Sequence, residues 1–315
     1  MKKFFVLLTV LSVSFGSLYA QNVSDFDIEV HDNGSVTILN YKGQGGEIIV
    51  PEHIFSMPVT RIKGGTKSSW GDPSGGAFQG KSLTKVTILA KITVLEDYTF
   101  YSNQLTSVTL PETLEIIGNG AFYKNQLTSV TLPANLEIIE ESAFQENKLT
   151  SITIPAKVVW ISGSAFYNNA LTSITIPDNV TYIGDNAFNY NRLTNVVIGN
   201  RVAVIGSKAF FGENYGSPNA INSITLGNSI RYIGDQAFQN HRASTIVIPD
   251  SVVYIGNSAF RSNNNNTTAI TIGGYVALSD TFDNNFDTAY RNNRRKAGRY
   301  AFTSGNWAFT SNSVK

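Results

Sequence analysis

The chain has 315 residues, of which only 15% are charged, with 24 Lys or Arg against 23 Asp or Glu and no cysteine. Absence of cysteine excludes disulfides, thiol catalysis and cysteine metal sites, so stability must come from packing. The length would admit two ordinary domains, but a regular internal period reads instead as one repeat array.

In chain order, residues 1–20 begin with Lys2 and Lys3, continue through an apolar run from Phe4 to Val13 and end in Leu18-Tyr19-Ala20. This is the layout of a secretory signal peptide, with an apolar core too short to span a membrane. Cleavage is expected after Ala20. No cysteine follows it, so an N-terminal lipid anchor is excluded. No other stretch is apolar enough to cross a bilayer and the C-terminus lacks an apolar tail, so the exported chain is expected to be soluble or held by another molecule.

Residues 21–46 form an expected N-terminal β cap: Phe26 to Val30 alternates like a strand, Asp32-Asn33-Gly34 is a hairpin turn signal, and Ser35 to Tyr41 alternates back. Residues 47–274 form an expected solenoid. Within it, residues 63–76, with five glycines, Trp70 and Pro73, read as a loop expanding an early coil. This loop lacks the Gly-Lys-Ser/Thr ending of a phosphate loop.

The period is 22 residues: Phe78, Phe100, Phe122, Phe144, Phe166, Phe188 and Phe210 are evenly spaced, Phe238 follows after six extra residues, and Phe260 restores the interval. Such regularity marks a solenoid of about ten coils. In each coil a row like Leu105, Val108 and Leu110 alternates as a short parallel strand with one face buried. Proline at 111, 133, 155, 177 and 249, or glycine at 199 and 227, closes it. The return limb, typified by Leu114, Ile117, Ala121 and Phe122, has a spacing that suits a short helical or 3₁₀ turn. Asn119, Glu141, Asp185, Ser207, Asp235 and Asn257 are expected to cap that turn rather than to bind metal. Asn103, Asn125, Asn147, Asn169 and Asn191 form a second polar column, expected to bond turn backbone and to tolerate a left-handed conformation. A coil buries six or seven apolar side chains at roughly 1.5–3 kcal/mol each. Ordering its backbone costs about 1–2 kcal/mol per residue, so coils fold only as a stack.

Residues 212–219, GENYGSPN, are an inserted loop on which Tyr215 is a candidate contact; a neutral length difference is the alternative. Residues 275–315 break the period and are rich in aromatics, an expected C-terminal cap over the last coil. From Thr288 onward there are six Lys or Arg and no acid, whereas residues 21–287 carry 16 basic and 23 acidic residues. Arg291, Arg294, Arg295, Lys296 and Arg299 are therefore candidates to touch an anionic surface, polysaccharide or envelope lipid. The alternative is a solvated face packed near the acidic solenoid. A basic patch without a nucleic-acid-binding fold on an exported chain is a poor nucleic-acid site.

The tandem combination of L-x-x-[IV]-T-[IL]-P with V-x-x-I-G-x-x-A-F, as in LTSITIPDNVTYIGDNAF at residues 171–188, resembles the BspA-like, or treponemal-type, leucine-rich repeat. The resemblance covers residues 47–271. It implies an α/β-type leucine-rich-repeat solenoid on a secreted or surface-exposed bacterial protein, with adhesion to host matrix proteins or other bacteria in the better known members. It implies no catalytic residues. Glycine for proline in two coils, the insertion after Phe210 and the Gly-Ser-rich coil depart from its pattern.

The column Ile116, Ile138, Trp160, Tyr182, Val204, Tyr232, Tyr254 repeats large apolar side chains along one edge, and Tyr101, Tyr123, Tyr167 and Phe211 form a thinner row. Exposed aromatic rows concentrate contacts, although stacked aromatics also stabilise coils. Beside the first column, charge changes from Glu115 and Glu137 through neutral positions to Arg231, which could select a partner by orientation. Trp160, Tyr182, Tyr232, Tyr254, Glu115, Glu137 and Arg231 are the candidate partner-binding residues. His31, His53 and His241 are too far apart to share a metal or a triad, so neither an enzyme nor a cofactor is expected. An adhesin binding a protein partner is the leading expectation. A self-assembling envelope component and a carbohydrate-binding module are the alternatives, and the oligomeric state is open.

Overall fold

The computed structural model describes residues 22–67, 72–212, 219–261, 267–282, 285–303 and 306–311. The expected signal peptide and Tyr215 lie outside these residues.

β1 (Phe26–Val30) and β2 (Val36–Tyr41) form an antiparallel hairpin turned at Gly34, whose φ of 77° favours glycine. β3 (Gly46–Val50) enters the first coil, and β4 (His53–Ile54) and β5 (Met57–Ile62) complete a four-stranded sheet in the order β1-β2-β5-β4. Phe26 and Tyr41 lay their rings against Phe78, at 6.3 and 5.6 Å, and so cover the first core phenylalanine.

Each coil behind this cap has three sides. One is the expected short strand, as at Leu83–Ile88, Ser107–Thr109, Ser173–Thr175, Asn195–Val197, Ser223–Thr225 and Thr245–Val247. The second is a two-residue strand such as Ile116–Ile117, and nine of these pair in parallel from Val94–Leu95 to Ala277–Leu278. The third is a pair of successive turns around the Ala-Phe step. The amides of Phe100, Phe122 and Phe144 donate to the carbonyls of Ala121, Ala143 and Ala165 of the following coil, at 2.9, 2.9 and 2.8 Å.

The return limb is thus not helical or 3₁₀ as its spacing implied. Two left-handed residues in each coil, for example Ser142 and Glu146, then Ser164 and Asn168, interrupt any helical run, and inter-coil bonding takes up the amides that a helix would use internally. Capping also differs from expectation. Asp97, Asp185 and Asp235 accept through Oδ1 from the backbone amides of Asn119, Ser207 and Asn257, one coil further on.

The asparagine column lies in the interior. Asn125 Oδ1 accepts from the Leu105 amide at 3.1 Å, and its Nδ2 donates to the carbonyls of Phe100 and Phe122 at 2.9 and 3.1 Å. Asn103, Asn147, Asn169 and Asn191 repeat this pattern, and Asn219 supplies it after the insertion. The left-handed residue is the one before the asparagine, as at Lys124 and Glu146, not the asparagine itself. Beside the column runs a spine of fully buried phenylalanines. Phe100 and Phe122 have centroids 5.6 Å apart and planes within 2°, and the stack continues from Phe78 to Phe260 and on to Phe282.

The first side is not one continuous sheet. Residues 129–131 and 151–153 pair with no neighbour, and Val108, Val130 and Ile152 are only half-buried where Val86, Ile174 and Val196 are buried. Ser-Ile-Thr is unpaired at 151–153 yet paired at Ser173–Thr175, so stacking of neighbours, not local sequence, sets the gap. A second break separates Ser223–Thr225 from Thr245–Val247. There His241 takes the asparagine's place, with Nε2 donating to the Phe260 carbonyl and Nδ1 accepting from Ala243 N.

At the C-terminal end, Ala269–Ile272 pairs antiparallel with Gly298–Thr303, which pairs with Asn306–Ser311. Helix α1 (Phe286–Asn292) packs Phe286 and Tyr290 against Phe282, Tyr300 and Trp307. Asp287 is buried beneath it. Its Oδ2 accepts from the amides of Thr281 and Phe282, while Oδ1 has no partner. Burial raises its pKa, opposed by those two backbone bonds. The folded pKa therefore exceeds the unfolded one, and this contribution to stability is full below the unfolded carboxyl pKa and is lost as pH rises through the folded value.

Two outcomes follow from this packing. Asn147→Ala strips the Leu127 amide of its acceptor and takes one of two donors from each of the Phe122 and Phe144 carbonyls, which keep Asn125 and Asn169, and should lower stability by about 2 kcal/mol in urea unfolding. The exposed Asn135→Ala should cost under about 0.5 kcal/mol. Asp287→Asn should raise the melting temperature at neutral pH, and its advantage over the wild type should shrink as pH falls toward the carboxyl range; a pH series of thermal melts reads both.

Candidate functional site

Because side chains alternate along a strand, each two-residue strand of the second side sends one residue inward and one outward. Ile117, Ile139, Ile161, Ile183, Ile205, Ile233 and Ile255 are completely buried. Their neighbours Ile116, Ile138, Trp160, Tyr182, Val204, Tyr232 and Tyr254 lie directly opposite one another in unbroken parallel register. Trp160, Tyr232 and Tyr254 are exposed at 47%, 49% and 38%. Seven strands at about 4.8 Å spacing make a stripe roughly 30 Å long. The Trp160 and Tyr182 rings meet at 5.0 Å and 53°, a tilted pair that leaves the outer Trp160 surface open.

The sequence reading missed Val94. It pairs with Ile116, is 38% exposed and extends the stripe by one coil; its place 22 residues before Ile116 was the available signal. Exposed Val159 and Val253 widen the stripe on the adjacent column. That column is held by its own ladder, in which Glu137 N donates to Glu115 O at 2.8 Å, Arg231 N to Ala203 O at 2.9 Å and Val253 N to Arg231 O at 2.9 Å. Glu115, Glu137 and Arg231 are exposed, and the ion pairs among the described residues involve none of them. One surface thus brings together all four aromatic candidates and the three charged ones, with the acids and Arg231 separated along its length.

The thinner aromatic row is different. Tyr101 is buried, stacks on Tyr123 at 5.2 Å and bonds Asp72, with Lys124 Nζ over both rings at 5.7 and 5.1 Å. Desolvation raises the pKa of both tyrosines. These rings tie coils together and offer little surface.

On the first side, residues 129–134 and 151–157 line a shallow depression of about 530 Å³ over the unpaired segments. Its walls are mostly Ser, Thr and aliphatic side chains, with Lys157 the sole charged group. The five C-terminal cations form a separate cluster on α1 and the turn and strand after it, all exposed, with Lys296 Nζ 4.3 Å over the Phe309 ring. Among the described residues no three His, Cys, Asp or Glu side chains converge, and no helix is long and apolar enough to cross a membrane.

Residues 74–193 and 181–302 match the BspA type leucine rich repeat region, in six copies. The chain belongs to the BspA-type leucine-rich-repeat family. Proteins of this type are typically secreted or held at the cell surface. Among solved structures, the BspA-type chain is similar to a leucine-rich repeat protein from Bacteroides ovatus, with 21% identity, a TM-score of 0.52, and coverage of 82% of this chain and 67% of that one. It is also similar to the pneumococcal vaccine antigen PcpA, with 17% identity, a TM-score of 0.43, and coverage of 81% and 84%. A leucine rich cell surface protein from Faecalibacterium prausnitzii aligns at 19% identity and a TM-score of 0.40, covering 85% of this chain and 96% of that one. No curated protein matches the sequence. The likeness to the Bacteroides ovatus structure extends to the fold alone, and at 21% identity it carries no site residues across.

Proposed function

We propose that this BspA-type protein is an exported surface adhesin that binds a protein partner, on host matrix or on other bacterial cells, through the stripe centred on Trp160, Tyr182, Tyr232 and Tyr254. The observation that carries this reading is the in-register row of exposed aromatics on a continuous sheet whose inward residues are fully buried. Aromatic side chains present large area with few rotatable bonds, and a backbone fixed beforehand loses little entropy on binding. Glu115 and Glu137 toward one end and Arg231 toward the other give the stripe a direction, so a partner of complementary charge order docks in one orientation. Export rests on the signal-peptide pattern of residues 1–20.

Purified chain from Gln21 onward, tested on immobilised fibronectin, fibrinogen and partner cells, should bind saturably. The combined Trp160→Ala, Tyr182→Ala, Tyr232→Ala, Tyr254→Ala variant should lose at least about tenfold in affinity. Charge reversal at Glu115, Glu137 and Arg231 should chiefly slow association. Wild-type binding by the aromatic variant would place recognition elsewhere. No binding at all, with concentration-dependent oligomers forming without ligand, would favour a self-assembling envelope scaffold.

A further inference from the structure

The C-terminal cap carries a second surface that the stripe does not use. Tyr275 is 82% exposed, more than any other large apolar side chain among the described residues. It sits where the chain leaves the last repeat strand, in a left-handed conformation with φ of 63°, and its amide donates to the Arg295 carbonyl at 3.1 Å. Arg294 and Arg295 are themselves left-handed, with φ of 53° and 54°. Their turn is closed by the amides of Arg294 and Arg295 donating to Arg291 O and Tyr290 O. Three non-glycine residues in a conformation that L-amino acids disfavour thus meet at one point. One backbone hydrogen bond thus ties the segment that carries the exposed phenol ring to the turn that carries two adjacent exposed arginines.

Among the described residues these cations form no ion pair, and only Arg291 is attracted by the buried Asp287. The ion pairs among the described residues all involve Lys42, Arg61, Lys85 or Lys91. The closest acid in sequence, Asp287, is buried and turned toward Thr281 and Phe282. The expected alternative, a solvated face packed near the acidic solenoid, gains no ion pair among the described residues.

We propose that Tyr275, Arg294 and Arg295, flanked by Arg291 and Arg299, form a binding site for an acidic polysaccharide of the uronic-acid class. A uronate residue offers an apolar ring face for Tyr275 and a planar carboxylate for the guanidinium fork, which grips carboxylates bidentately where lysine cannot. A membrane surface fits less well: after Tyr254, Tyr275 is the only exposed large apolar side chain among the described residues, so nothing beside it would enter the acyl region. A single-stranded nucleic acid fits less well too, because it stacks successive bases on several aromatics and this site presents one.

The test is affinity electrophoresis and calorimetry of the chain from Gln21 onward with polygalacturonate, neutral dextran, an oligodeoxythymidylate and vesicles containing anionic lipid. Polygalacturonate should bind at least about tenfold more tightly than each of the other three probes. Because asparagine tolerates left-handed backbone, Tyr275→Asn and Arg294→Asn/Arg295→Asn should keep the fold, verified by circular dichroism. Tyr275→Asn should weaken polygalacturonate binding severalfold with its salt dependence unchanged. The double arginine variant should weaken binding and flatten that dependence. The four-alanine stripe variant should bind polygalacturonate like the wild type, which separates failure of this proposal from failure of the adhesin reading. Equal binding to all three anionic probes, an unaffected Tyr275→Asn variant, or no binding to polygalacturonate would overturn it.

Discussion

The fold depends on one buried side chain repeated in six successive coils, Asn103, Asn125, Asn147, Asn169, Asn191 and Asn219. Asn125 takes the amide of Leu105 and gives its two hydrogens to the carbonyls of Phe100 and Phe122, so a single carboxamide joins two coils where the backbone turns too tightly to bond itself. Each of those groups lies in the interior, where an unpaired donor or acceptor costs on the order of 1–3 kcal/mol. The phenylalanine spine supplies apolar area but would tolerate sliding. The asparagines fix register, because a carboxamide one residue out of place would strand its partners.

That constraint divides the surface into two kinds. Behind the second side the buried isoleucines and the backbone ladder act together, so the outward row from Val94 to Tyr254 stands on eight uninterrupted strands. On the first side the ladder opens over two coils, although the asparagines behind it remain bonded. The rigid side carries the aromatics and the opened side carries Ser and Thr. A preformed face suits recognition, since little ordering is left to be done when a partner arrives.

Much of this was legible in the sequence. The 22-residue spacing of phenylalanine gave the solenoid and its register directly, because a repeated column has only one way to stack. Burial of Ile117 beside outward Ile116 followed from alternation. What misled was the second limb: Leu114, Ile117 and Ala121 are spaced as on a helix, yet Gly118 and Gly120 or their equivalents admit turns, and inter-coil bonds replace the bonds within a helix. Asp97, Asp185 and Asp235 bond to amides one coil further on, a relation invisible to local capping rules. The opening at residues 129–131 and 151–153 had no signal, since identical triplets pair elsewhere. The significance of Tyr275 was equally hidden, because only the fold brings it to Arg295.

The most direct test of this account is site-resolved amide hydrogen exchange on the free chain. The amides of Leu105, Leu127, Leu149 and Leu171, held by interior asparagines, should exchange only through global unfolding, while those of Thr131, Ile152 and Thr153 on the opened side should exchange orders of magnitude faster. Leucine amides exchanging as fast as the opened segments would contradict the claim that the asparagine column holds the coils in register and keeps the aromatic face rigid.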